Sequence, residues 1–512
     1  MNEQKNVIKS YNPATCEILG EVPITRREEV ENTVKKAQKS FIQWSKLSFK
    51  ERAEFMIKIK KVLLKRKEEI LDILVKEIGK PKTEALQEFY LCLEKLNYYA
   101  KNSEKFLRDE KVNLGIIFRG IKSKIVFEPI GVIGIIIPWN VPLAICFNSM
   151  VPALMSGNTV IIKPSEYTPF CILKIKEIIK EAGLTDGVVG VLTGDESTGQ
   201  RLVESDVDRI TFSGSVATGK KVMQSAAHKL HPIVLELGGK DPAIVCSDTD
   251  LDLASNNIIW AAFYNAGQVC ASAERIYVME DIVEEFIKKV VEKTEKLKVG
   301  NGLEPSTDIG PLINRFQLDV VLKHIKDAKN KGARILTGGK QLKELGELFY
   351  APTVLTDVNH NMLIMREETF GPVLPIMKVK SEVEAIKLAN DSDFGLAATV
   401  WTKDFAKGQK IAKQINVGNV WINTFGVEAP AVPWGGVKNS GIGRISSRYG
   451  MLNFVNIKCV TLDYSHKTKQ DWWYPYSKQK LDYFNEIISN FHSDKITDKI
   501  KAAITLLKGC SK

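Results

Sequence analysis

The chain has 512 residues, 44% hydrophobic and 26% charged, with 35 glycines and 19 prolines. These proportions exclude a disordered, fibrous or low-complexity protein and call for two or three folded domains. The formal charge of +11 raises nucleic-acid binding, but lysines interleave with glutamates along amphipathic runs such as 58–70, with no zinc-finger or ribonucleoprotein pattern, so no nucleic-acid partner is expected.

In chain order, the opening residues lack an apolar leader core, so no secretory signal is expected. Val30, Val34, Ala37, Phe41 and Trp44 recur at helical spacing, with Thr25 and Glu28 as a capping box. Phe55, Ile59, Val62, Leu63 and Ile70 predict a second helix. Short β-branched runs follow at 124–137, 159–163, 188–194, 209–214 and 232–239, each closed by Gly, Pro or a helical stretch. A second cycle of strands is predicted at 241–246, 274–279, 372–379 and 419–424. Strands alternating with helices imply βαβ units and a mostly parallel sheet, hence an α/β fold of two tightly packed domains. The most apolar stretch, 131–139, is too short to span a bilayer. The eight cysteines form no CxxC pair, and only His228 and His231 lie close together, so neither disulfides nor a metal site is expected. Together these features lead to the expectation of a reduced, cytoplasmic, soluble protein.

Four segments place polar or reactive groups beside glycines and strand ends. Asn140, after Pro138 and Trp139, could present its amide to an incoming oxygen or simply stabilise the turn before Pro142. Gly214 and Gly219 in TFSGSVATGK bracket a turn that could open a helix toward a phosphate, or could belong to a plain loop. Glu236 in VLELGGK is a carboxylate among apolar residues, either a general base or half of an ion pair. Cys270 in GQVCASA has small neighbours that allow a carbonyl close approach, yet many such cysteines are buried hydrophobes.

In this order, and with NPATCE, PWNVPL, KPSE, EETFGPV and PWGGVKNSGIGR around them, these segments resemble the aldehyde dehydrogenase superfamily over residues 8–462. Cys270 follows Glu236 by 34 residues, as in that family. The resemblance implies two Rossmann-like α/β domains and a small β oligomerisation arm. It divides the chain into a cofactor-binding domain (1–108 and 129–238), a catalytic domain (239–454), the arm (109–128 and 455–464) and a C-terminal helical extension (465–512). It implies oxidation of a small-molecule aldehyde to the carboxylate. Cys270 is then the nucleophile, forming a thiohemiacetal and a thioester, Asn140 the oxyanion donor and Glu236 the base for the hydrolytic water.

For the cofactor, Lys163 and Glu166 match contacts to the adenosine ribose, and Ser215, after Gly214, a contact to the pyrophosphate. Glu368 matches a contact to the nicotinamide ribose, while Phe370 and Trp139 line the cleft. Glu166 favours NAD, with NADP use also allowed. A CoA-acylating enzyme is the rival within the class, opposed by Glu236. A silent structural member of the fold is the rival outside it, opposed by the intact Cys270, Asn140 and Glu236. The sequence departs from the family where Asn148 and Ser149 replace a Trp-Lys pair, and Trp434 is expected to form a hydrophobic wall. Arm pairing implies a homodimer or homotetramer. The basic C-terminal helix, with Ile496, Ile500, Ala503, Ile504 and Leu507 on one face, is expected to dock on protein rather than on a membrane.

Overall fold

A computed structural model describes residues 7–115, 118, 120–464, 468 and 470–509. Residues 1–6, 465–467 and 510–512 lie outside the described residues; on them fall part of the leader reading, the start of the C-terminal extension and Cys510. The first predicted helix is Arg27–Trp44, with Val30, Val34, Ala37 and Trp44 buried. Its capping box sits one residue later than expected, with the Glu29 carboxylate accepting from the Arg26 amide at 2.7 Å. Thr25 is diverted because its hydroxyl donates to the Thr193 carbonyl at 2.7 Å. The second predicted helix divides at Arg66 into Phe49–Lys65 and Lys67–Ile78, so Ile70 belongs to the later piece.

The chain from Val132 to Glu236 supplies five strands of a six-stranded sheet. Its strand order is Gly441–Ile442, Ile233–Glu236, Arg209–Ser213, Val132–Ile136, Thr159–Lys163, Val189–Val191. All neighbours are parallel except the short Gly441–Ile442 pair. From the central strand Val132–Ile136 the chain first winds to one side and then, from Arg209, to the other. That reversal opens a crevice beyond the strand C-termini, where ligands bind in such sheets. A seven-stranded sheet follows, ordered Arg334–Thr337, Thr353–Thr356, Val373–Val379, Ala273–Met279, Asp241–Val245, Ala397–Trp401, Asn419–Ile422. Three of its strands, at 334–337, 353–356 and 397–401, were not predicted. Its apolar interior is continuous, from Ile244 and Tyr277 to Leu374 and Val400.

The run predicted as one strand over 124–137 is two. Ile121–Pro129 belongs to a three-stranded sheet with Val455–Asp463 and Glu110–Val112, and Val132–Ile136 to the six-stranded one. Pro129 removes a ladder donor, and Gly131 has φ +144°, where an added Cβ would lie 2.1 Å from an Asp208 carboxylate oxygen. Among the described residues the chain up to Phe106 with Pro129–Val455 forms one compact unit, and Leu107–Glu128 with the chain from Asn456 onward forms another. In the second unit the helices Lys478–Phe491 and Ile496–Lys508 pack on each other. Among the described residues, Ile496 and Leu507 of the predicted apolar face are 74% and 56% exposed, while the helix buries Ala502. No helix of the described residues is long and apolar enough to cross a membrane.

Candidate active site

Cys270, Asn140 and Glu236 all line one cavity of about 440 Å³ in the larger unit. Asn140 comes from the segment that leaves the central strand of the six-stranded sheet. Lys80 donates to its carbonyl at 2.8 Å and is itself paired with Glu88 at 2.7 Å, all three groups buried. Glu88 also accepts from the amides of Leu143 and Ala144, at 2.8 and 3.1 Å, at the start of the helix Pro142–Met155. A carboxylate on free N–H groups at a helix N-terminus is favourable, so one buried ion pair fixes both the helix and the asparagine before it. The Asn140 amide reaches across to the Gln268 carbonyl at 3.0 Å instead of bonding into its own turn.

The loop before Cys270 is equally constrained. Asn265 and Ala266 have φ of 52° and 55°, a left-handed pair of non-glycine residues that persists only under strong surrounding restraint. That restraint is visible: Glu84 accepts from the Asn265 amide at 2.9 Å, and the Asn265 side chain donates to the Asn140 carbonyl at 3.1 Å. Gln268 donates to the Asn265 carbonyl at 2.9 Å and accepts from Ile313 at 2.9 Å. The Cys270 amide donates to no carbonyl among the described residues. Gly239 allows the Cys270 carbonyl to approach, since an added Cβ there would lie 2.4 Å from it. Burial pushes the Cys270 thiol well above the usual range, and the nearby carboxylates of Glu428, Asp241, Glu368 and Glu236 add to the shift.

Glu236 ends its strand with both carboxylate oxygens buried and without a hydrogen-bond partner. Among the described residues no cation forms an ion pair with it either, so the ion-pair alternative is not met there. Arg444 lies near enough to favour the charge, while its Nη1 donates to the carbonyls of Gly436 and Gly443, at 2.8 and 2.7 Å. Burial holds the Glu236 carboxyl well above the ordinary carboxylate range.

A second cavity of about 570 Å³ continues from the first, sharing Trp139, Ser213, Gly214 and Ser215. Lys163 and Glu166 line it, 3.6 Å apart. Ser215 caps the helix Val216–Ala227, accepting from the Thr218 amide at 3.2 Å, and leaves the free N–H groups of the first turn facing the crevice. These groups fit a dinucleotide: a carboxylate for ribose hydroxyls and a helix N-terminus for a pyrophosphate. Gly219 lines neither cavity; it sits inside that helix, where an added Cβ would lie 2.6 Å from Leu237, so its place is in packing. Glu368 and Phe370 line the first cavity, and Phe370 meets Trp139 edge to face with centroids 5.5 Å apart. The Glu368 carboxylate accepts from the Gly239 amide at 3.1 Å and is pushed up to about 8 by burial and by Glu274. Glu274 holds the Thr369 and Phe370 amides, each at 2.8 Å, while paired to buried Lys240.

Sequence reasoning missed Lys80, Glu88, Lys240, Glu274 and Glu428. The signal for Glu88 was available: Glu84, Glu88, Cys92 and Leu96 recur every four residues on the buried face of Lys82–Phe106. Charges on a buried stripe require partners. Trp434 lines the cavity as expected and stacks on Trp421, with centroids 5.9 Å apart. Asn148 accepts from the Ser446 hydroxyl at 3.3 Å.

The chain resembles known proteins over nearly its whole length. The family model described as "Aldehyde dehydrogenase family" matches residues 1–460. The chloroplastic betaine aldehyde dehydrogenase of Atriplex hortensis is 37% identical over 92% of this chain and 95% of the relative. The mitochondrial succinate-semialdehyde dehydrogenase of Oryza sativa subsp. japonica is 39% identical over 89% and 86%. The NAD+ complex of an aldehyde dehydrogenase from Bacillus cereus superposes with a TM-score of 0.86 at 35% identity, covering 89% of this chain and 93% of that one. The cytoplasmic expectation is corrected by these relatives, whose names place them in chloroplasts and mitochondria; sparse cysteines do not distinguish such compartments from the cytosol. From the fold, the cavity and these similarities, the chain belongs to the aldehyde dehydrogenase family and oxidises an aldehyde to the carboxylate with NAD(P)+.

Proposed function

We propose that Cys270 is the nucleophile, Asn140 and the Cys270 amide the oxyanion donors, and Glu236 the base of the hydrolytic step. The observation that carries this reading is the meeting of the three residues on one cavity wall. The Cys270 sulfur adds to the aldehyde carbon, and the developing oxyanion takes the free Asn140 N–H and the Cys270 N–H. One such donor is typically worth about 2.7–4 kcal/mol of barrier. A thiol near 8.5 is only about 3% thiolate at pH 7, and burial lowers that fraction here, so the thiol's proton must be removed as substrate binds. NAD(P)+, when bound, supplies the hydride acceptor. Lys163, Glu166, Gly214 and Ser215 are positioned for its adenosine and pyrophosphate, and Trp139, Glu368 and Phe370 for its nicotinamide end. Glu236 then takes a proton from the water that cleaves the thioester, releasing the carboxylate and restoring the thiol.

In this reading the six-stranded part (1–108 and 129–238) binds the cofactor and 239–454 carries the catalytic cysteine. Steady-state assays across an aldehyde panel, with NAD or NADP and with or without CoA, test it. Turnover independent of CoA is expected, with kcat/KM higher for NAD because Glu166 repels a 2′-phosphate. An absolute need for CoA, or a preference for NADP, would contradict the respective part.

The arm at 109–128 and 455–464 is proposed to pair between subunits. Val455–Asp463 is an edge strand with Ile457 and Leu462 exposed, a template for strand pairing. Light scattering should give a multiple of 57.3 kDa. A monomer at micromolar concentration would exclude this pairing.

A further inference from the structure

The two relatives act on aldehydes of opposite charge, so similarity alone does not say which kind this chain takes. The cavity wall does discriminate. Its charged lining among the described residues is entirely acidic, Glu236, Glu368 and Glu428, with no lysine, arginine or histidine. This contrasts with a chain whose formal charge is +11. Glu236 and Glu368 already have places in the reaction, and Glu428 does not. Glu428 lines the cavity, and no ion pair or hydrogen bond among the described residues engages its carboxylate. Burial raises the Glu428 carboxyl, and the buried Lys95, which is not part of the wall, counters that rise. Trp434, Trp139 and Phe316 supply apolar and aromatic surface in the same cavity.

We propose that Glu428 is the specificity-determining counter-charge of a substrate site for cationic, ammonium-bearing aldehydes. The inference rests on the oxidation chemistry above and names its substrate class. An unpartnered carboxylate at a low-dielectric wall favours a cation and repels an anion, and aromatic faces add cation–π attraction. An anionic aldehyde finds no cationic side chain on this wall. Glu428 is also the carboxylate that most strongly holds the Cys270 thiol protonated, so a bound cation beside it relieves that effect at the nucleophile.

The test compares kcat/KM with NAD for 3-aminopropanal, for butanal as its neutral counterpart of the same length, and for anionic succinic semialdehyde. The wild-type protein should prefer the cation to butanal by about tenfold or more, with the anion last. Glu428→Gln should lower the cation-to-neutral ratio by about tenfold, and Glu428→Asp should keep most of it. An unchanged ratio in Glu428→Gln, with or without a shift in Tm, would show that Glu428 serves only Lys95 and overturn the proposal. A wild-type preference for succinic semialdehyde would overturn it without any variant. Loss of turnover with all three aldehydes in the wild type would instead sink the oxidation reading, and this inference with it.

Discussion

Replacing Cys270 by alanine should abolish aldehyde oxidation, a fall on the order of 10⁴–10⁶-fold in kcat, while NAD binding persists. The expectation follows from position. Cys270 lies on the wall of the first cavity and not on that of the second, where Lys163, Glu166 and Ser215 converge. Alanine removes a sulfur from a cavity wall and leaves the loop's anchors, Asn265 and Gln268, untouched. Fluorescence titration with NAD should therefore match the wild type, whereas NADH formation should vanish. Normal turnover in this variant would remove Cys270 from the mechanism. The other described cysteines offer no substitute, because none of them lines this cavity.

Glu236→Gln should lower steady-state turnover by about 10²–10⁴-fold, the usual range for a general base. The amide keeps the side chain's size in a tight site: an added Cβ at Gly435 would lie 2.9 Å from the Glu236 carboxylate. It removes the basic oxygen and leaves the Cys270 sulfur in place. Thioester formation can then proceed, slowed if Glu236 also takes the thiol's proton, and hydrolysis stalls. A first turnover of at most one NADH per active site should precede a slow steady state. The pH profile carries the same signature. The base acts only when ionised, and burial raises its carboxyl above the ordinary range. Hydrolysis should therefore rise with pH through that elevated pKa and fall away below it, and the glutamine variant should lose this limb.

Cys270, Asn140 and Glu236 stood out as candidates because each sits in a short segment beside a strand end, and the resemblance to the family supplied the roles proposed for them. What holds them did not stand out, because it is assembled from distant positions. The Lys80–Glu88 pair reaches the Asn140 carbonyl from 60 residues away, and Lys240–Glu274 braces the segment that carries Glu368 and Phe370. Pairing of buried charges has no periodic signature. The strand alternation was legible from β-branched runs, although Arg334–Thr337, Thr353–Thr356 and Ala397–Trp401 were missed. Glu428 was missed for the opposite reason to Glu88: it lies in an irregular segment, where spacing says nothing about which way a side chain points. The C-terminal helix shows the limit of periodicity itself, since it identified an apolar face without saying what covers it.

A covalent acyl-enzyme forms at Cys270 and Glu236 resolves it in the proposed mechanism, and intact-protein mass spectrometry of Glu236→Gln tests this most directly. After mixing with NAD and a good aldehyde substrate, the protein should gain the mass of the aldehyde less two hydrogens, and peptide mapping should place the gain on Cys270. Hydroxylamine should remove it, as expected of a thioester. An unmodified Cys270 during wild-type-like turnover would contradict the account, and so would an adduct on any other residue.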